Sequence, residues 1–381
     1  MPDFPQRRID NGEQRPEQAL AIEVGGDVIG ARARRTQIGS EYGRVGEGGI
    51  VHGVPARVYY TDASRLNARS MHIQIIMPAG AGKRSGNQHT AERWRDFLRS
   101  GGHQAGLAPR WDGTPADLMI ALHARKSSEA AYRFHLAHPD RPLIVVLTGT
   151  DLYRDIRTHA TARRSLDLAT RLVVLQAAGV QELAPRLRAK TRVIYQSADT
   201  RLRQHAVKGR FRVAVVGHLR EEKDPFCAVQ ALGHLAAHEG IELVQLGAAL
   251  SPAMARTANQ WMRDEPRYRW LGSKPHGDTL RRMAASHLLV VSSVMEGGAN
   301  VICEAGRLGL PVLASRVSGN VGMLGRDYPG YYPLHDARAL ARLVVRAQRE
   351  PSFYQALKAG ILARRPLFAP AAERRAVLAL V

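Results

Sequence analysis

The 381-residue sequence has little cysteine, no long apolar run and few lysines. Its two cysteines, Cys227 and Cys303, stand at no metal-ligand spacing. We therefore expect two buried structural thiols in a reducing compartment rather than a disulfide scaffold. No run approaches the roughly 18–20 apolar residues of a membrane span, and residues 1–18 lack the apolar segment of a secretory signal. These absences predict a cytoplasmic protein without integral membrane contact.

The positive charge is large but consists almost entirely of arginine. The formal net charge is +21, yet only seven of the 55 basic residues are lysines. Basic domains bind nucleic acids non-specifically, but these arginines are scattered and no zinc-finger, helix-turn-helix or RNA-recognition pattern accompanies them. We predict no nucleic-acid partner and expect an anionic small ligand. The sequence has no Asp-x-Asp pair, so neither a metal-bridged diphosphate nor a cofactor is predicted.

Residues 1–70 differ from the rest of the chain. They are rich in Gly and Arg and hold only short apolar pieces, which predicts a poorly ordered N-terminal extension. From Met71 onward, strand-like runs alternate with helix-like runs, a pattern typical of parallel α/β units. The polar segment 200–210 predicts a linker, after which the alternation restarts.

This organisation predicts an α/β protein with two Rossmann-like, doubly wound parallel-sheet domains facing a cleft. The expected domains are residues 71–205, which bind the acceptor, and residues 210–368, which bind a nucleotide-sugar. Ligands bind at the carboxyl ends of the strands in such sheets. Pro366 is expected to break the last helix, so that residues 369–381 can pack back on the first domain. The oligomeric state stays open.

The stretch 296–315, EGGANVICEAGRLGLPVLAS, follows an apolar run that predicts a buried strand. Its two acids, Glu296 and Glu304, would lie about 12 Å apart along the axis of a continuous helix. At that distance they could not share one proton or one metal ion. They are either solvated helix residues or two contacts for the ends of one long ligand.

The residues between these acids suit a bound anion. Small side chains let the backbone approach a ligand, and Asn300 is a candidate N-cap for the next helix. The amino end of a helix binds phosphates. The predicted contacts are Gly297, Gly298, Ala299, Asn300 and Val301.

A second basic element follows the first strand of the same domain, in VVGHLREEKDP. It places His218, Arg220 and Lys223 at the end of that strand. These cations are either ordinary surface charges or groups that neutralise a diphosphate leaving group. Together with the glutamates, they favour a site for a nucleotide-sugar, in which sugar, diphosphate and ribose lie in a row.

In the first domain, HARKSS at a strand exit combines cations with a possible helix cap. Arg125 and Lys126 precede Ser127 and Ser128, and cations beside a helix amino end form an anion site. His123 is either structural or part of this site. Further candidate contacts are donor-binding Gly86 and Asn87, with Thr90, and acceptor-binding Thr150 and Asp151. A plain turn and a helix N-cap are the respective structural alternatives.

The E-x7-E element downstream of a strand–GHLREEK turn resembles family 4 glycosyltransferases of the GT-B fold, over residues 71–381. The resemblance implies that Glu296 faces the donor sugar and Glu304 holds the ribose, while the loop amides hold the diphosphate. The usual basic pair of the family is Arg and Lys. Here His218 stands at the Arg position and Lys223 is kept, with Arg220 nearby. Thr148 stands where the family often has His.

Within that family, the sequence is most similar to the selenosugar synthases of selenoneine biosynthesis. The segments on which this similarity rests are GNQHTAERW, ALHARKS, TGTDLY, GHLREEKDPF, EGGANVICEA and DYPGYYPL. The resemblance implies that selenophosphate attacks the anomeric carbon of a UDP-sugar, expected to be UDP-N-acetylglucosamine, so that UDP leaves and Se–P cleavage releases a 1-selenosugar. The expected catalytic residues are Glu296, Lys223, Arg220 and His123. The alternatives are a conventional family 4 enzyme with a lipid or polysaccharide hydroxyl acceptor and a non-enzymatic basic binding protein.

Overall fold

The computed structural model describes residues 70–78, 86–236 and 240–381, which are built around two parallel β-sheets. The strands of the first sheet are β1 (His72–Ile76), β2 (Gln104–Ala108), β3 (Leu118–Leu122), β4 (Leu143–Leu147), β5 (Arg171–Val174) and β6 (Thr191–Val193). Their order is β2-β1-β3-β4-β5-β6, and every pairing is parallel. Strands β3 and β4 are buried along their whole length because helices cover both faces of the sheet.

The first sheet is connected by short helices. These are α1 (Gly86–Ser100), α2 (Ser128–Ala137), α3 (Ile156–Thr158), α4 (Ala160–Leu168) and α5 (Pro185–Arg188). A π-helix (Asp151–Asp155) follows β4, and a 3-10 helix (Ala177–Glu182) follows β5. We call β1–β6 with these helices the first lobe.

The strands of the second sheet are β7 (Phe211–Val216), β8 (Ile241–Leu246), β9 (Tyr268–Trp270), β10 (Leu288–Val291), β11 (Val312–Ser315) and β12 (Tyr331–Tyr332). Their order is β12-β11-β10-β7-β8-β9, again parallel throughout. The helices are α6 (Cys227–Leu232), α7 (Pro252–Asp264), α8 (His276–Ala284), α9 (Asn300–Leu308), α10 (Ser318–Leu324), α11 (Ala337–Arg349), α12 (Pro351–Arg364) and α13 (Pro370–Leu378). We call β7–β12 with helices α6–α12 the second lobe.

The predicted fold class is confirmed: two doubly wound parallel sheets carry flanking helices. Strand β2 was missed, because Gln, Gly and Ala in QAGLA have weak strand preferences. The predicted extension over residues 1–70 lies outside the described residues except for Ser70. Both cysteines are buried, as expected. Burial raises the pKa of Cys227 to about 12 and that of Cys303 well above its usual value.

The chain returns from the second lobe to the first through α13. Arg365–Phe368 is a 3-10 turn that contains Pro366, and α13 then packs on α1. The buried carboxylate of Glu373 in α13 accepts hydrogen bonds from Arg93 (2.6 Å) and Trp94 (2.8 Å) of α1 and from Ser197 in the connection between the lobes. One carboxylate thus connects three segments of the chain.

Each sheet has one place where the strand order reverses, and the strand order determines which loops are neighbours at the carboxyl ends of the strands. In the second sheet β7 lies between β8 and β10, so the loops after β7 and β10 are neighbours at the carboxyl edge. In the first sheet the reversal lies between β1 and β3, and the loops after β3 and β4 are neighbours at the carboxyl edge because these two strands are paired. Ligands of open parallel sheets bind at such edges.

Candidate active site

The loop after β10 carries Glu296 to the carboxyl edge of the second sheet. The residue is only 6% exposed. Its Oε1 forms an ion pair with Nζ of Lys223, from the 3-10 turn after β7, and accepts a hydrogen bond from Oγ of Ser293 at 2.6 Å. The adjacency of β7 and β10 therefore brings together two residues that are 73 positions apart. A carboxylate and an ammonium beside each other can act on a hydroxyl-rich group and on a phosphate, respectively.

Gly297 and Gly298 lie directly against the first lobe. A Cβ atom at position 297 would overlap the carbonyl group of Thr148, and one at position 298 would lie 2.6 Å from Cβ of Leu175. Only glycine permits this backbone-to-backbone approach. The glycines predicted for ligand contact therefore also bring the two lobes together.

The amino end of α9 begins beside these glycines. The N-cap residue is Ala299, not Asn300 as predicted, and no side chain caps the helix. Asn300 is the first helical residue, and its Oδ1 is buried without a hydrogen-bond partner among the described residues. Val301, in the same turn, is buried. The first amide groups of a helix lack intrahelical acceptors, and the helix dipole favours an anion there.

Glu304 lies in the second turn of α9, with a side chain 13% exposed. Its Oε1 bonds to Nε2 of His276, the first residue of α8, at 2.8 Å. This hydrogen bond raises the pKa of His276 because it outweighs the opposing effect of partial burial, and the negative charge of Glu304 adds to the increase. Since residues 296–299 are not helical, the separation calculated for a continuous helix does not apply to Glu296 and Glu304. The two acids nevertheless bracket one loop and one helix end.

The other two cations predicted after β7 have different surroundings. Nδ1 of His218 accepts a hydrogen bond from the amide of Ala248 at 3.2 Å. Arg220 is 45% exposed at its side chain and lies 3.9 Å from Glu222. Lys223 is the cation of the three that pairs with Glu296.

In the first lobe, the loops after β3 and β4 meet at His123. Its backbone has φ 73°, which is uncommon outside glycine, and its side chain is almost fully buried. Nδ1 accepts from the amide of Lys126 (3.4 Å), so the neutral ring carries its proton on Nε2, 3.1 Å from Oγ1 of Thr150. Burial lowers the pKa of His123, which outweighs the opposing charge of Asp151.

Asp151 organises the loop after β4 from the inside. It has no exposed surface, and its carboxylate accepts from the amides of Ala124 (2.9 Å), Thr148 (2.9 Å) and Gly149 (2.8 Å). Asp151 therefore positions the backbone of this loop, and its contact with the acceptor stays a prediction. Thr150 is the N-cap of the π-helix, but its side chain makes no capping hydrogen bond.

The HARKSS segment is also arranged differently from the prediction. Ser127 occupies the N-cap position of α2, but its Oγ donates to the carbonyl of Leu122 at 2.6 Å, and no side chain caps the helix. Ser128 is the first residue of that helix. Arg125 Nε donates to Oδ2 of Asp155 at 2.7 Å, and Lys126 is exposed.

Helix α1 contributes Gly86 and Asn87 near the same place. A Cβ atom at position 86 would lie 3.6 Å from Nδ2 of Asn300, so the two predicted donor-binding elements are neighbours. Asn87 is half-buried. Thr90 donates to the carbonyl of Gly86 at 2.9 Å and accepts from Gln196, which makes it structural.

Several residues of the site had escaped sequence interpretation. Ser293 stands only three residues before Glu296, in the Ser-Ser that ends the strand, and that proximity was a usable signal. His276 is 28 residues from its partner Glu304, and the hydroxyl of Tyr153 accepts from Nε2 of Gln176 at 2.9 Å. Burial raises the pKa of Tyr153 to about 12, so it stays a neutral phenol. Because His276 and Tyr153 are far in sequence from their partners, no local sequence pattern indicates these contacts.

Within residues 70–78, 86–236 and 240–381, no helix has the length and apolar character needed to cross a bilayer. In the same ranges, no three His, Cys, Asp or Glu side chains come together as a metal site would require.

Comparison with known proteins agrees with this architecture. Residues 198–360 match the family model of glycosyl transferases group 1. Among solved structures, Alr3699/HepE from Anabaena, crystallised with UDP and glucose, matches with a TM-score of 0.66 at 17% identity, over 81% of this chain and 99% of that one. Sucrose-phosphate synthase from Thermosynechococcus elongatus matches with a TM-score of 0.68 at 16% identity, over 81% and 97%.

A glycosyltransferase from Rickettsia africae matches with a TM-score of 0.63 at 12% identity, over 82% of this chain and 98% of that one. At these identities the likeness shows the fold. The two sheets have the GT-B fold of these structures, and the match to the glycosyl transferases group 1 model covers the second lobe.

Proposed function

We propose that the protein is a UDP-sugar-dependent glycosyltransferase whose acceptor is selenophosphate. One observation carries the donor half of this proposal: Glu296 and Glu304 bracket a glycine loop and an uncapped helix end at the switch point of the second sheet. An extended ligand with hydroxyl groups at both ends and a diphosphate between them fits this order. The structures of HepE with UDP and with UDP-glucose support a uridine nucleotide.

In the proposed complex, the sugar hydroxyls bond to Glu296 and the ribose to Glu304. The diphosphate lies at the amides of Gly297 to Val301. Lys223 exchanges its ion pair with Glu296 for the departing phosphate, where it stabilises the charge that develops as the sugar–oxygen bond breaks. Arg220 adds positive charge to this region, whereas His218 is neutral because its Nδ1 accepts from the amide of Ala248.

The acceptor half rests on the resemblance and on the chemistry of the first lobe. Burial lowers the pKa of His123, and its Nε2 is already engaged by Thr150, so it is poorly suited to deprotonating a hydroxyl. Selenophosphate needs no such base because it is already anionic; it needs positioning. Selenium attacks the anomeric carbon, the bond from that carbon to UDP breaks, and water then cleaves the Se–P bond to give phosphate and the 1-selenosugar.

The deciding experiment measures UDP release from UDP-N-acetylglucosamine with selenophosphate, with inorganic phosphate and with hydroxyl acceptors. We expect release to depend on selenophosphate and to be accompanied by one phosphate per UDP. Stimulation by a lipid or polysaccharide hydroxyl instead would establish the conventional transferase. The absence of thermal stabilisation by millimolar UDP would contradict both.

A further inference from the structure

A pair of arginines on the first lobe shares one buried carboxylate. Nε of Arg125, after β3, donates to Oδ2 of Asp155 at 2.7 Å, and Nε of Arg154, in the π-helix after β4, donates to Oδ1 of Asp155 at 3.2 Å. Asp155 has no exposed side-chain surface. Burial acts to raise its pKa, but the hydrogen bonds from Arg154 and Arg125 outweigh that effect and lower it. The carboxylate is therefore charged and fixes both guanidinium groups at the carboxyl edge of the first sheet.

The outer ends of these guanidinium groups are available. Neither Arg125 nor Arg154 makes a hydrogen bond through its Nη atoms with any residue that the structure describes. Their side chains are 36% and 49% exposed, whereas Asp155 is enclosed. A purely structural triad would use the outer nitrogens as well, because each guanidinium has five N–H donors in a rigid fork. Here the four Nη atoms have no hydrogen-bond partner among the residues that the structure describes.

The surroundings of this pair add positive charge. Lys126 is exposed next to Arg125, and both lower the pKa of His123 through their charge. Nε2 of His123 lies 3.9 Å from Asp155. Arg125, Lys126 and Arg154 thus supply three cations in this region, and Asp151 is itself fully bonded to backbone amides. The exposed part of the cluster is positive, and paired guanidinium forks match a tetrahedral oxyanion.

We infer that Arg125 and Arg154 form the binding site for the phosphate group of the acceptor, and that Asp155 is the positioning residue that spaces them. Sequence interpretation had not singled out Arg154 or Asp155. The inference rests on the proposed transferase function for its biological meaning, but phosphate binding itself does not. The ligand class is a phosphate-like oxyanion, which includes selenophosphate, thiophosphate and phosphorylated hydroxyl acceptors.

Calorimetric titration of the full-length protein with inorganic phosphate, in the presence of saturating UDP, tests this site apart from the donor diphosphate site. Arg154→Gln is expected to weaken phosphate binding roughly 10- to 100-fold, the range for a lost charge-assisted hydrogen bond. UDP affinity should not change. Arg157→Gln is the matched control, because Arg157 lies in the next turn and pairs with Glu182 on the surface. Equal phosphate affinity of Arg154→Gln and the wild type would overturn the inference.

Asp155→Asn separates positioning from net charge. The substitution removes a negative charge, so a site that depended on charge alone would bind phosphate more tightly. Loss of the spacer should instead weaken phosphate binding about tenfold, with Asp155→Glu recovering part of it. Unchanged or tighter binding by a folded Asp155→Asn protein would refute the role of Asp155.

The outcomes also distinguish this inference from the proposed function. A phosphate titration without nucleotide gives the first case. If phosphate binding depends on Arg154 while the protein does not bind UDP, the anion site is supported and the transferase function is contradicted. UDP binding without phosphate binding would contradict the anion site and leave the UDP-sugar proposal intact.

Discussion

The loops after β4 and β10 face each other across the lobes, and each carries a buried acid close to its start. In the loop after β4, Asp151 accepts hydrogen bonds from three backbone amides. In the loop after β10, Glu296 is held by two side chains, Lys223 and Ser293. A carboxylate bound to the backbone fixes its loop, whereas one bound to side chains can exchange partners when a ligand arrives. Burial alone therefore does not distinguish a structural acid from one that recognises a ligand.

The largest expected effect comes from separating the two loops. In Gly297→Ala the new Cβ would overlap the carbonyl of Thr148, so the loops must move apart, and displacement of reacting groups by about 1 Å can cost roughly 100-fold in rate. We expect at least that loss in transfer from UDP-sugar, measured as UDP release. The control is Gly106→Ala, whose Cβ would meet only Gln74 at 3.5 Å. Equal activity of the two variants would contradict the close approach.

Glu296→Gln should act on the chemistry rather than on the fold. The glutamine keeps the shape but loses the charge that binds Lys223 and, in the proposed complex, the sugar. We expect turnover to fall roughly 10- to 100-fold, the value of one or two charge-assisted hydrogen bonds, with a small change in melting temperature. Glu222→Gln, on the surface near Arg220, is the control. Full activity of Glu296→Gln would remove Glu296 from the site.

Asp151→Asn should show the opposite behaviour. The amide replaces one carboxylate oxygen with a donor that faces backbone N–H groups, leaving a buried donor unpaired. The expected loss is about 1–3 kcal/mol in the free energy of unfolding, measured by urea denaturation. Activity of the fraction that stays folded should fall less than in Glu296→Gln. An Asp151→Asn protein as stable as the wild type would remove the contrast between the two acids.

The smallest effect is expected from pH. Because the pKa of His276 is raised in the folded protein by its hydrogen bond to Glu304, the ion pair stabilises the fold fully below about pH 6.5 and is lost as pH rises through the folded-state pKa. In the proposed complex, charged His276 would compete with the ribose for Glu304, so we expect UDP affinity to increase as the pH rises through this range. Its side chain is 63% exposed, which limits the effect to about fivefold or less.

Isothermal titration of UDP at several pH values measures this effect. His276→Gln should flatten the pH dependence, whereas His335→Gln, which removes an equally exposed histidine paired with Asp224, should leave it unchanged. A flat profile in the wild type would show that Glu304 does not need to leave His276 in order to bind the nucleotide.

Local pattern was enough to predict much of the molecule. Alternating apolar runs predicted the two sheets, and small residues between two acids predicted the loop before α9. The pairing of Glu296 with Lys223 was not predictable in the same way, since it depends on the adjacency of β7 and β10. Asn300 has a side chain typical of an N-cap, but the helix begins at Asn300 itself and Ala299 is the N-cap. The boundary of a helix depends on the loop that precedes it.

The first lobe shows the same difference between what local sequence predicts and what depends on strand adjacency. HARKSS indicated an anion site, and Arg125 of this segment pairs with the buried Asp155. Ser127, however, donates to the carbonyl of Leu122 instead of capping α2. Arg154 was not predicted as a site residue because its sequence context does not distinguish it from a surface arginine. Its relation to Arg125 appears only when β3 and β4 place both residues on Asp155.

The sequence alone determined the two parallel α/β units, the absence of apolar runs long enough to span a bilayer and the order of acids, glycines and cations along each loop. These follow from periodicity and side-chain chemistry, which act over a few residues. The tertiary structure decided which charges meet: Lys223 with Glu296, His276 with Glu304, and Arg125 and Arg154 with Asp155. Strand order sets those distances, and strand order depends on how whole elements pack rather than on any one stretch of sequence.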